Sequence, residues 1–175
     1  ECLHKLGRLD EALKAYDALA GDAGQGGRDA QTGRAYVLFA QGRMQEAAAA
    51  FQEAAQALAG DTRRPACLLN AGHAWIAVTN YPQAMAVLEL LRREHPHDAL
   101  APAATYWLAF ARLKAGQAEA AAAILQQLQD DPALPDNLAV ETRLLLAEAE
   151  LQRGRPAAAA AAYKAAAALQ PGHPL

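Results

Sequence analysis

Small and large apolar residues alternate along this chain at steps of four and three. Ala12, Tyr16 and Leu19 make the first such stripe, and Ala47, Phe51 and Ala54 the second. Ala84, Leu88 and Leu91 follow, then Ala121, Leu125 and Leu128, then Ala159, Tyr163 and Ala166. Residues at i, i+4 and i+7 share one face of a helix. In each stripe the small residue admits a neighbouring helix closely, and the larger one fills the groove beside it. The leading alanines stand at 12, 47, 84, 121 and 159, so successive stripes are 35, 37, 37 and 38 residues apart. One amphipathic helix is written five times.

The residues ahead of each stripe predict a reversal of the chain. Gly7, Gly42, Gly116 and Gly154 each stand five places before the alanine, where glycine accepts the positive φ that such a turn uses. The third copy has Thr79-Asn80 there, and Asn80 is expected to supply that tolerance. Pro82 falls in the first turn of the helix that follows, where a missing N–H costs little. A second helix precedes each turn. It reads LLNAGHAWIAVTN in copy three, with Leu68, Ala71, Gly72 and Trp75 on one face, and ATYWLAFARLKAG in copy four, with Leu108 and Ala109 in the matching places. Pro65 and Pro102 open two of these helices, and Pro96 and Pro171 follow two of the stripes. Gly21, Gly24, Gly26 and Gly27 mark an inter-repeat joint. Each glycine inside a helix costs up to about 1 kcal/mol relative to alanine, so the first stripe's helix should end early and the joint should be flexible.

A helix–turn–helix unit of roughly 34 residues, carrying a small residue followed by a large one four places on, resembles the tetratricopeptide repeat (TPR) family. The resemblance covers essentially the whole chain. It implies an all-α fold, an α-solenoid of antiparallel helix pairs with a right-handed path and about 4.5 repeats. The expected division is a single array over 1–175, with a partial repeat at 1–27 and repeats at 28–64, 65–101, 102–139 and 140–175. The chain has no initiating methionine and no capping helix is visible, so a window of a longer array is expected. Arg112 and Glu150 stand where the family pattern has tyrosine, and Gln31, Arg34, Ala35 and Leu38 match weakly. The packing of those helices is therefore expected to slip by a residue.

The same resemblance implies a function: a non-catalytic scaffold holding a segment of another protein in the concave groove lined by first helices. The pattern positions that face such a groove hold Asp29, Thr32 and Tyr36 in copy two, and Asn70 and His73 in copy three. Copy four gives Tyr106, Trp107 and Phe110, and copy five gives Glu141 and Glu148. Trp107 is assigned to the core; Thr32, Tyr36, Asn70, His73, Tyr106, Phe110 and Glu148 are the candidate groove residues. Of the Asn and Lys/Arg set that clamps a C-terminal carboxylate, only Asn70 is present, so that ligand is not expected. Two rivals remain: a structural spacer with an unused groove, and a regulatory domain attached to a catalytic part elsewhere.

Composition narrows the partners. Apolar residues make up 53% of the chain, much of it alanine, and aromatics 6%. Net charge is −3, and only Arg63-Arg64 and Arg92-Arg93 adjoin, so the basic surface that nucleic acid requires is missing. No uniformly apolar run of about 18 residues predicts a membrane span. His95-Pro96-His97-Asp98 imitates a metal cluster but falls at a repeat exit, and is read as a solvated linker. Gly21–Gly27 follows a helix and lacks a following Lys-Ser/Thr, so it is no phosphate loop. Cys2 and Cys67 lie on separated helices and predict no disulfide. No catalytic constellation, cofactor site or metal site is read. Twelve arginines against four lysines, with three asparagines, suggest a GC-rich bacterial genome. The HPHDALAPAATYWLAFARLKAG segment resembles repeats of bacterial envelope proteins in outer-membrane assembly or exopolysaccharide export, which places periplasm ahead of cytoplasm.

Overall fold

The structure is a computed structural model that describes residues 8–22 and 24–169. Cys2, Gly7 and Pro171 lie outside the described residues. Nine helices are found among them: α1 (Leu9–Leu19), α2 (Gln25–Ala40), α3 (Met44–Ala57), α4 (Arg64–Ala77), α5 (Tyr81–Glu94), α6 (Ala101–Lys114), α7 (Ala118–Leu128), α8 (Asp136–Gln152) and α9 (Pro156–Leu169). None is long and apolar enough to cross a membrane. Pro65, Pro82, Pro102 and Pro156 all stand in the opening turn of a helix, where the missing N–H has no partner to lose.

The chain divides into two compact units, one ending at Leu91 and the other beginning at Arg92. In the first, α2 packs on α1 and α3, and α3 on α4. In the second, α7 packs between α6 and α8, α9 packs on α8, and α6 also touches α8. The five stripe alanines are buried, and so are Phe51, Leu88 and Leu125. Burying a side chain the size of Phe51 or Leu88 contributes about 1.5–3 kcal/mol, so the large stripe residues hold neighbouring helices together. Closeness is purchased with small residues at two sites. A Cβ on Gly72 would lie 2.6 Å from Leu88 Cδ2, and one on Gly33 would lie 2.4 Å from Tyr16 Cζ.

Four turns close in the same way. The N–H groups of Arg43, Asn80, Gln117 and Arg155 donate to the carbonyls of Leu38, Trp75, Arg112 and Glu150, five residues back. The N–H groups of Gly42, Thr79, Gly116 and Gly154 donate three residues back. These paired bonds satisfy carbonyls that a helix end otherwise leaves open, and need one residue in the left-handed region. Gly42, Gly116 and Gly154 hold φ between 70° and 78°. In the third copy the residue is Thr79, at φ 56°, and not Asn80 as the sequence suggested. Asn80 instead donates the long bond through its N–H, and its Oδ1 accepts weakly from the Gln83 N–H at 3.4 Å.

Two other expectations are corrected. The helices with weak pattern matches do not slip. Ala35, Leu38, Leu108, Ala109, Leu146 and Ala147 are all buried in their pattern places. Polar residues there find partners in position: Gln31 Nε2 donates to Ala20 O at 2.9 Å, and Arg34 Nε to Asp17 at 2.8 Å. Glu150, only 2% exposed, accepts from Arg153 at 2.7 Å and from Gln126 at 3.1 Å. Leu19, placed on the buried stripe, is 50% exposed, because α1 packs on α2 through Ala12 and Tyr16 and none of the described helices covers its far end. At the glycine joint α1 does end early, and two of the glycines have local roles: Gly24 holds φ 103°, and a Cβ on Gly27 would fall 1.9 Å from Asp22 O. The helices also begin ahead of the pattern, α2 at Gln25 and α8 at Asp136.

Within each unit, polar bonds join residues one repeat apart. Arg63 donates to Asp29 at 2.6 Å, and Asn70 to the Tyr36 hydroxyl at 3.1 Å. Lys114 donates to Glu148 at 2.8 Å, and Arg153 to Glu119 at 2.6 Å. All four span 34 residues.

Candidate functional site

Two recesses form on the faces presented by first helices, one in each unit. The recess of the first unit, about 600 Å³, is walled by Tyr16 and Leu19 of α1, by Thr32, Gly33 and Tyr36 of α2, and by Arg63. Gly33 sets its depth, since any side chain there would strike the Tyr16 ring. Tyr36 is 39% exposed. Its ring meets Phe51 edge-on at 5.0 Å, and its hydroxyl accepts from Asn70. Burial raises the Tyr36 hydroxyl above the usual phenol range, so it stays protonated at neutral pH. Thr32 donates to the Arg28 carbonyl at 2.9 Å within its own helix.

The charges at this rim are closed on each other. Asp29 accepts from Arg63 and from Gln25, the latter at 2.7 Å. The Arg63 hydrogen bond holds the Asp29 carboxyl below its usual range. Asp61 is held lower still, at about 2, by the side-chain and backbone bonds it accepts from Arg63.

The recess of the second unit, about 510 Å³, gathers Tyr106 and Phe110 of α6, Glu141, Leu144 and Glu148 of α8, and Tyr163 of α9. Lys114 Nζ lies 5.3 Å from the Phe110 ring centroid while it donates to Glu148, so one cation serves a ring and a carboxylate together. Tyr106 is raised above the usual phenol range by burial first, and then by the charges of Glu141 and Glu148. Among the described residues no cation is paired with Glu141.

Of the sequence-derived candidates, Thr32 and Tyr36 meet in one recess and Tyr106, Phe110 and Glu148 in the other. Asn70 reaches the first through Tyr36. His73 on α4 lines neither, and burial lowers its imidazole below the usual value. Trp107, assigned to the core, is only half-buried, with its ring edge-on to Tyr106 at 5.2 Å and to Phe110 at 5.5 Å. Sequence reasoning missed Lys114, Arg63 and Leu144 as site residues. Lys114 was findable: it sits four residues beyond Phe110, and such pairs share a helix face. Arg63 had no such signal, because it precedes α4 in a turn. Cys67 is buried, and burial pushes its thiol up to about 11, which keeps it from acting as a nucleophile at neutral pH. Asp98 accepts from the Leu100 N–H at 2.8 Å, as a turn residue does.

Tetratricopeptide-repeat family models match residues 3–62 and 133–174, residues 38–105 and residues 103–132. No curated protein matches the chain. Among solved structures, a tetratricopeptide repeat protein of Parabacteroides merdae superposes with a TM-score of 0.77 at 19% identity, over 97% of this chain and 63% of that one. MamA of Desulfovibrio magneticus superposes at 0.74 and 20% identity, over 96% and 89%. A thermophilic TPR protein of Thermus thermophilus is 26% identical, with a TM-score of 0.59 over 97% and 87%.

Proposed function

The chain belongs to the tetratricopeptide-repeat family, whose repeats serve generally as protein-interaction scaffolds, and from that premise we propose that it holds a partner segment along its first-helix faces. The observation that carries this reading is the recess of the second unit. Tyr106, Phe110 and Tyr163 pack on the core of the second unit with one side and leave the other part-open beside carboxylates. Aromatic residues give large contact area for little lost side-chain entropy. Tyr36 plays the same part in the first unit. The division into repeats at 28–64, 65–101, 102–139 and 140–175 belongs to the same proposal; the order of the helices supports it, with α2 starting at Gln25 and α8 at Asp136, ahead of those bounds.

The test is a comparison of captured partners between wild type and the Tyr36→Ala/Tyr106→Ala double variant, each first shown to be helical and cooperatively folded. Loss of a discrete set of partners is the expected result. Identical partner sets would favour a spacer whose recesses stay empty. The envelope and export reading rests on the sequence resemblance alone; fractionation of the full-length protein tests it, and a purely cytoplasmic location would remove it.

A further inference from the structure

We propose that the recess of the second unit receives an arginine side chain of the partner, its stem against Leu144 and its guanidinium against Tyr106 and the Glu141 carboxylate. The inference rests on the scaffold reading above and adds the chemistry of the occupant. Two carboxylates face the recess, and only one is already answered. Glu148 is held by Lys114 at 2.8 Å, whereas Glu141 is exposed and pairs with no cation among the described residues. Glu141 and Glu148 both line the recess beside Tyr106, and their charges, which set a negative field there, add to burial in raising its hydroxyl above the usual phenol range.

That field selects the occupant. An acidic segment would be repelled. A purely apolar one would strip water from the Glu141 carboxylate and give no hydrogen bond in return, a cost that charged groups do not recover by contact alone. A cation answers it. The walls then decide which cation. A planar guanidinium stacks on an aromatic face and pairs with a carboxylate through two parallel N–H donors, while an ammonium does neither as well. The unit already contains such an arrangement in miniature, Lys114 lying over Phe110 and bonded to Glu148. A partner arginine would repeat it on the neighbouring ring and carboxylate.

The experiment uses the whole chain and a bead library of short random peptides blocked at both ends, so that neither terminal charge contributes. Enriched peptides are resynthesised with arginine and with citrulline, its neutral isostere, and titrated by fluorescence anisotropy. Arginine should be enriched, and citrulline should weaken binding about tenfold at low salt, with the gap narrowing as salt rises. Glu141→Gln, a change at an exposed site, should close most of that gap without altering the urea midpoint. Equal binding of both peptides to wild type, with Tyr106→Ala still releasing them, would overturn the arginine assignment and leave the scaffold reading in place. An arginine preference that survives Glu141→Gln but disappears in Asp29→Asn would overturn it too, by moving the site to the first unit. Peptides indifferent to Tyr36→Ala, Tyr106→Ala and Phe110→Ala would remove both readings.

Discussion

Asp29 and Glu141 occupy the same place in their repeats, one turn into the first helix, and they have opposite fates. Asp29 is gripped by Arg63 at 2.6 Å and touched by Gln25. Glu141 stands beside an aromatic recess with no cation of its own among the described residues. The repeat decides where a carboxylate stands; a residue outside the repeat pattern decides whether it is available. On the proposed scaffold reading, selectivity resides in the residues that vary around a constant scaffold. The first recess is closed in charge and shaped by Gly33, while the second is open in charge and shaped by aromatic rings.

The largest expected effect tests whether the first recess persists at all. Its outer wall is α1, in which Ala12 is the buried residue. The α4 and α5 helices bury Leu68, Leu88 and Leu91 among others. Segments with few buried apolar contacts open at lower free energy than the core, so amides of α1 should exchange about a hundredfold faster than those of 68–91. Equal protection in a hydrogen-exchange experiment would show that the wall is as firm as the interior.

Next in size is Gly33→Val. Its Cβ alone would stand 2.4 Å from the Tyr16 ring, and overpacking of this kind costs about 1–3 kcal/mol. A lowered urea midpoint is expected, together with a recess deprived of Tyr16. An unchanged midpoint would mean that Tyr16 swings out freely.

The same-place rule reaches the turns as well. Thr79 holds φ 56° where three other turns have glycine. Thr79→Gly should raise stability by about 1 kcal/mol, the strain that a branched side chain bears there less the added freedom of the unfolded chain. A destabilised variant would show that the threonine side chain earns its place by some other contact.

The smallest effect concerns acid. Arg63 depresses the folded Asp61 carboxyl to about 2, below its ordinary value of 3.8. A depressed carboxyl contributes stability above its unfolded pKa and loses it as pH falls through the folded one. Arg63→Ala should therefore flatten the decline of the urea midpoint between about pH 4 and pH 2. Because these groups are solvent-exposed, the change should be slight and weaker still in salt. A steeper decline in the variant would contradict the pairing.

How much of this could be read from the chain follows from what repetition records. The alanine at 12, 47, 84, 121 and 159 is buried every time, because a small residue five times in register leaves helix packing few alternatives. The expectation that Glu150 would shift its helix failed for a specific reason. A carboxylate in the tyrosine place is tolerated without slippage when Arg153, at the end of its own helix, and Gln126, on the neighbouring one, answer it, and the pattern carries no term for such partners. The recesses divide in the same way. Repeat position brought Tyr106, Phe110 and Glu148 together, and Thr32 with Tyr36. Lys114 and Arg63, which close or leave open the charges, depend on contacts 34 residues away. Thr79 misled for a third reason: the backbone conformation follows turn position, and asparagine's tolerance next door does not move it.

The bonds that run one repeat along the chain also bear on how fast the molecule acquires its structure. Arg63 to Asp29, Asn70 to Tyr36, Lys114 to Glu148 and Arg153 to Glu119 all close loops of the same 34-residue span. Loop closure grows only with the logarithm of length, and here the length does not grow when copies are added. Refolding should therefore belong to the rapid, locally connected regime of helical proteins, in milliseconds or less. Variants with a repeat inserted or removed should refold at nearly the same rate while their stabilities differ.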